Sequence, residues 1–303
     1  MTMMIEQMTS EELRKEGLRL YYANALEEAL PFFDRALAVA PDAQTRDLLT
    51  IHKASIHVAL RTNSPEVQAL PAIMMRRPEL RSLAAYHLAT KFENEKEFKR
   101  ARFYLEMGLE AARESGNLRL ETSTRIDLGN LCVYDSKPEE AMGYYRDALE
   151  ALSGEEADAI FDQTPTERQL WVAMATQNLG HCHVVTDQPE EGIVLLQRAL
   201  EMFAACEGEA YMAESHLDLS IGYFDLEQYD LARAHAETGL AGATEDRQVR
   251  NAHYLLGEIA FTQGDTEAAE HHFDQLARYY PDFPQLKNLL FAIDLRKMVN
   301  FKL

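Results

Sequence analysis

Apolar residues recur along this chain with a helical period, and small residues hold fixed places within that period. The stretch LGNLCVYDSKPEEAMGYYRDALEAL, Leu128 to Leu152, returns 51 residues later as LGHCHVVTDQPEEGIVLLQRALEMF, Leu179 to Phe203. In both, a small residue is followed 12 positions on by a second and 7 further by a third. The same ruler places Gly17, Ala29 and Ala36; Ala89, Ala101 and Gly108; Gly129, Ala141 and Ala148; Gly180, Gly192 and Ala199; Ser220, Ala232 and Gly239; and Gly257, Ala269 and, in the third slot, Leu276. Bulky Phe33, Leu105, Tyr145, Leu196 and Phe273 lie four positions after the second slot. This spacing predicts helical hairpins whose two helices approach closely along one line, where large side chains on both would hold them apart. Turn signals fall between the first and second slots, at Asn24, SKPEE, DQPEE, LEQYD and QGDTE. Acids opening the second helix, such as Glu139, Glu140, Glu190 and Glu191, complement its dipole.

The ruler divides the chain into hairpins near 11–42, 45–78, 82–116, 122–160, 169–207, 211–243 and 247–281. The second is degenerate, with Ser55, Val67 and Met74 in its slots. Residues 284–303, with Leu286, Leu289, Leu290 and Ile293 on one face, read as a capping helix. The largest surplus between copies is Ser153 to Arg168. A chain of 303 residues that is 47% hydrophobic but has only 14 Gly and 10 Pro suits a single helical array better than one globular core.

The pattern resembles the tetratricopeptide repeat, whose signature is Leu-Gly, then Ala, an aromatic, Ala and Pro over roughly 34 residues. Leu13 to Pro41 and Leu255 to Pro281 match it most closely. The resemblance implies an all-α, right-handed α-solenoid with a concave groove lined by the first helix of each hairpin. It further implies a non-enzymatic scaffold or adaptor that holds an extended peptide segment of a partner. In members of this family that clamp peptides, an Asn just after the first small residue bonds the ligand main chain. Asn130 falls there, while the next hairpin has His181 in that slot and Asn178 one turn earlier. Asp127, Tyr134, Gln177, His87 and Asp218 fall in other groove slots. The Lys and Arg that such clamps use for a terminal carboxylate are replaced by Ile126, Leu217 and Ile221, so an acidic tail is not the expected ligand. Groove slots run from Arg14, Lys15, His52 and Lys53 to Asp127, Asp218 and Glu258, which suggests a basic or bipolar ligand. Two alternatives are a regulatory peptide sensor that changes superhelical pitch and a homodimer formed through Leu290, Phe291, Met298 and Phe301 of the last helix.

A formal net charge of −20 opposes binding to a nucleic-acid backbone. Cys132, Cys182 and Cys206 include no Cys-x-x-Cys, which fits a reducing compartment. The start MTMMIEQMTSEELRKEG lacks a basic region followed by an apolar run, and no 18-residue apolar stretch occurs, so a cytoplasmic protein without a membrane partner is expected. The sequence contains no Gly-rich phosphate loop, His-Glu-x-x-His or Gly-x-Ser-x-Gly. His181 and His183 point to different helix faces, and His271 and His272 are adjacent. No cofactor, metal site or catalytic residue is therefore expected.

Overall fold

The computed structural model describes residues 8–161, 165–206, 208–280 and 290. Among these, helices and turns account for the structure and no strand occurs. The order is α1 (Ser10–Tyr22), α2 (Leu26–Ala38), α3 (Ala43–Ala59), α4 (Pro65–Arg76), α5 (Arg81–Asn94), α6 (Phe98–Ser115), α7 (Leu118–Tyr134), α8 (Pro138–Ser153), α9 (Glu155–Ile160), α10 (Pro165–Val185), α11 (Pro189–Ala205), α12 (Glu209–Asp225), α13 (Tyr229–Ala241), α14 (Asp246–Thr262) and α15 (Thr266–Asp274). Helix contacts group the chain into two units, residues 1–128 and 129–303. Within each unit, consecutive helices pack as antiparallel neighbours, and the first helices of successive hairpins also touch, as α3 does α5 and α12 does α14.

The small-residue slots lie on the helix contact line. Ala29, Ala36, Ala89, Ala101, Ala141, Ala148, Ala199, Ser220, Ala232 and Ala269 are fully buried. The glycines show why bulk is excluded there. A Cβ on Gly17 would lie 2.7 Å from the Phe33 ring, on Gly129 2.6 Å from Tyr145, and on Gly257 2.3 Å from Phe273. The space left by each of these three glycines is thus taken by the aromatic ring 16 positions later. In the degenerate hairpin α3–α4 the slots are larger but still buried. The Asp47 carboxylate, 2.6 Å from Arg76 and 2.8 Å from Arg77, closes this hairpin where α4 ends.

Each hairpin elbow turns through one left-handed residue. Asn24, Lys96, Ser136, Asp187, Glu227 and Gly264 all lie seven positions after a first slot, with φ between 57° and 82°; Arg61 takes the same role in the degenerate copy. Paired bonds fix the elbow, as where Lys96 N donates to Glu93 O and Glu97 N to Phe92 O, the helix-ending arrangement in which glycine is favoured. Only Gly264 is free of the steric cost of a Cβ, about 1–2 kcal/mol for a helical left-handed residue. Glu227→Gly is therefore expected to stabilise the protein by about 0.5–1 kcal/mol after the added freedom of the unfolded chain is subtracted. A chemical-denaturation midpoint that fell instead would contradict this account of the elbow.

The surplus after Ser153 forms the short helix α9 and its flanks. Buried Phe161 meets Trp171 edge-on with ring centroids 5.4 Å apart. Arg168 Nε donates to the Leu152 carbonyl at 2.7 Å, and the guanidinium pairs with Asp158. The sequence reading that offers Leu290 to a second copy is corrected. It is 2% exposed, in a cluster with Leu276, Leu256 and Phe273, because the end of the last hairpin offers apolar surface to cover. Phe291, Met298, Phe301 and most of the 284–303 segment lie outside the described residues.

Candidate functional site

The groove-slot residues of the unit 1–128 come from α1, α3, α5 and α7. Asp127 accepts a hydrogen bond from the Tyr86 hydroxyl, and Glu93 lies within electrostatic reach of both. All three are recessed yet partly accessible. Burial, and then the charge of Asp127, pushes Glu93 up to about 8, while burial pushes Asp127 up to about 7. The negative Asp127 and burial keep the Tyr86 hydroxyl protonated. His87 and His52 are recessed on the same side; burial lowers them to about 3 and about 4, so both are neutral at pH 7. The basic end expected of the groove is internally neutralised. Arg14 is held by Glu11 at 2.7 Å, and Lys53 lies 2.7 Å from both Asp34 and Glu66. The electrostatic character of this face is therefore set by the two carboxyls.

In the unit 129–303, Asn130 and Asn178 are brought together from α7 and α10. Asn130 Oδ1 accepts the Tyr145 hydroxyl at 2.8 Å and Asn178 Nδ2 at 3.0 Å. This fixes the amide's orientation and leaves Asn130 Nδ2 pointing away from both donors. Tyr134, on the next turn of α7, is partly accessible and lies within electrostatic reach of Arg247 on α14. Arg247 in turn bonds Glu214 at 2.9 Å.

Gln177, His181 and Asp218 take a different place from the open groove expected of them. Each is at most 4% exposed. His181 Nδ1 lies 2.7 Å from Asp218 Oδ1, and Gln177 Nε2 donates to Asp218 Oδ2 at 3.4 Å. The first helices α10 and α12 approach closely on their inner side, so polar groups there bond each other across the hairpin boundary. They form a support behind the accessible surface.

Six residues escaped the sequence reading in these roles. Glu93 sits four positions after Ala89, one turn along the same helix. Tyr145 was assigned to packing alone, although its hydroxyl reaches the groove side. His216 with His235, and His253 with His272, meet across the last two hairpins. Their signal is a spacing of 19, the sum of the ruler's two steps.

Each unit also holds a cleft. One of about 670 Å³ in the unit 129–303 is lined by Leu152, Phe161, Pro165, Arg168, Val172 and Met202. One of about 420 Å³ in the unit 1–128 is lined by residues including His57, Arg61, Lys91 and Asn94. Among the described residues, no group of three or more His, Cys, Asp or Glu is gathered as around a metal ion. No described helix is long and apolar enough to cross a membrane.

Residues 251–283 match the tetratricopeptide repeat family. No curated protein matches the sequence. Among solved structures, the apo form of RapI is similar over 96% of this chain and 85% of its own, at 14% identity and a TM-score of 0.66. NprR in complex with its cognate peptide NprX is similar over 93% and 80%, at 15% identity and 0.66. A tetratricopeptide repeat protein from Parabacteroides merdae is similar over 93% and 97%, at 14% identity and 0.53. At these identities the likeness establishes the fold, a helical solenoid of repeated hairpins.

Proposed function

We propose that this chain, a tetratricopeptide-repeat protein by its fold, is a non-enzymatic scaffold that binds an extended peptide segment of a partner protein. The observation that carries the reading is the pair Asn130–Asn178, which bond each other between α7 and α10 while Tyr145 holds the Asn130 amide. A pre-oriented amide can meet a peptide group without first losing side-chain freedom. Tyr134 supplies an aromatic surface one turn away. The ligand is basic: the chain carries a net charge of −20, which favours a cationic segment over an acidic one. The three cysteines are all buried and suit a reducing cytoplasm.

Selection of a displayed random decapeptide library on the immobilised chain, followed by calorimetry with the best peptide, tests the reading. Asn130→Ala combined with Asn178→Ala is expected to weaken binding at least tenfold, about 1.4 kcal/mol. Unchanged affinity would overturn it. A second reading, a regulatory sensor that responds to a small peptide, draws support from the likeness to NprR, itself solved with its cognate peptide. Under that reading the selected peptide shifts the small-angle scattering radius of the chain; under the scaffold reading it does not.

A further inference from the structure

The joint between the hairpins α7–α8 and α10–α11 is longer than its neighbours. Gly129 and Gly180 stand 51 residues apart, against 40 from Ala89 to Gly129 and 40 from Gly180 to Ser220. The surplus folds into α9, and the cleft of about 670 Å³ opens between that helix, the ends of α8 and α11, and the start of α10. Small-molecule sites are commonly about 300–1,000 Å³ and mainly apolar, with a few polar groups that orient the ligand. This cleft has that composition. Leu152 and Phe161 are buried within it, Val172 and Met202 are half-buried, and Pro165 and Ala205 are exposed. Asn130 and Asn178 take no part in its lining.

The polar groups narrow the ligand. Arg168 lines the cleft, and its charge is matched by Asp158. The first turn of α9 adds Glu155 and Glu156, so an anion meets carboxylates there and a cation meets the guanidinium. Neither charge is favoured. Arg168 Nε donates to the Leu152 carbonyl and Nη1 to Asp158, while Nη2 has no acceptor among the described residues. Two N–H groups of a planar, well-held guanidinium are left to meet an acceptor.

We propose that this cleft binds an uncharged, mainly apolar small molecule carrying a hydrogen-bond acceptor, such as the carbonyl of a fatty ester. The acceptor meets Arg168 Nη2, and the hydrocarbon covers Phe161, Val172 and Met202. Met202, unbranched and with three rotatable bonds, adapts to the outline of the guest.

The chain carries its own reporter. Trp171 is the single tryptophan, and its ring meets Phe161 edge-on at 5.4 Å, so a brominated ligand in the cleft should quench it. The probe is methyl ω-bromoundecanoate, titrated into the full chain at neutral pH. Saturable quenching is expected, and its absence overturns the proposal. The free acid of the same chain length is expected to bind about tenfold more weakly, because its carboxylate is desolvated beside Asp158; equal or tighter binding overturns the assignment of an uncharged ligand. Ala205→Phe, at an exposed position of the lining, should fill the cleft and weaken ester binding at least tenfold. Unaltered affinity in that variant would put the ligand elsewhere and refute the site. Should the variant fail to fold, isotope-filtered spectra of the wild type decide: the bound ester must show contacts with the Met202 methyl group, and their absence refutes the site.

Discussion

Phe273→Ala is expected to cost about 3–5 kcal/mol in stability, and Gly257→Ala about 1–3 kcal/mol, yet the two together should cost no more than Phe273→Ala alone. The reason is geometric. A Cβ at Gly257 would stand 2.3 Å from the fully buried Phe273 ring, so alanine there forces the ring into a crowded core. Once the ring is gone, the same methyl enters the cavity that its removal leaves. A double-mutant cycle read by urea denaturation then shows a large favourable coupling energy. Strict additivity would show that the small residue of the ruler is not there to seat the bulky one.

Acidity should act on the unit 1–128 from both directions, with greatest stability near pH 5–6. Folded Glu93 and Asp127 hold a proton up to about 8 and about 7, whereas the unfolded carboxyls release theirs near 4. Between those values the folded state binds more protons, so stability falls as pH rises. His52 and His87 stay neutral down to about 4 and about 3 when folded. Their unfolded counterparts take up protons below about 6.5, so stability also falls as pH drops from there. Carboxylates held low by hydrogen bonds, Asp47 to Arg76 and Arg77 among them, add to the loss below about 4. The alkaline limb from pH 5.5 to 8 should be on the order of 2 kcal/mol. Hydrogen exchange of the α5 amides, corrected for intrinsic rates, measures it. Asp127→Asn is expected to flatten this limb, and an unaltered slope in that variant would remove the carboxyl pair as its cause.

The helical hairpins were legible because the constraint on them is local and periodic. Gly17, Gly129 and Gly257 announce a close approach, and Phe33, Tyr145 and Phe273 announce what fills it. Where a contact is set by the joining of two hairpins, the sequence was less informative. Gln177, His181 and Asp218 occupy groove slots by count, yet the proximity of α10 and α12 turns them toward each other. The neutralised basic end was equally hidden, since Lys53 meets Asp34 and Glu66 from two other helices. Asn130 was found by its slot, but its orientation depends on the Tyr145 hydroxyl, 15 residues away in sequence. The histidine pairs were missed because adjacent histidines drew notice, whereas those 19 apart are the ones the fold joins.

The left-handed elbows also bear on how such a chain can change its length. From each first slot to its elbow, and on to the next helix, the count is the same in every regular copy, because one added residue would rotate the second helix off the glycine that receives it. No such lock governs the passage to the following hairpin, where α9 is accommodated with Arg168 latched onto the end of α8. Insertions and deletions should therefore accumulate at these joints and spare the elbows, so that descendants of this sequence could lengthen or shorten without losing the register on which the packing rests.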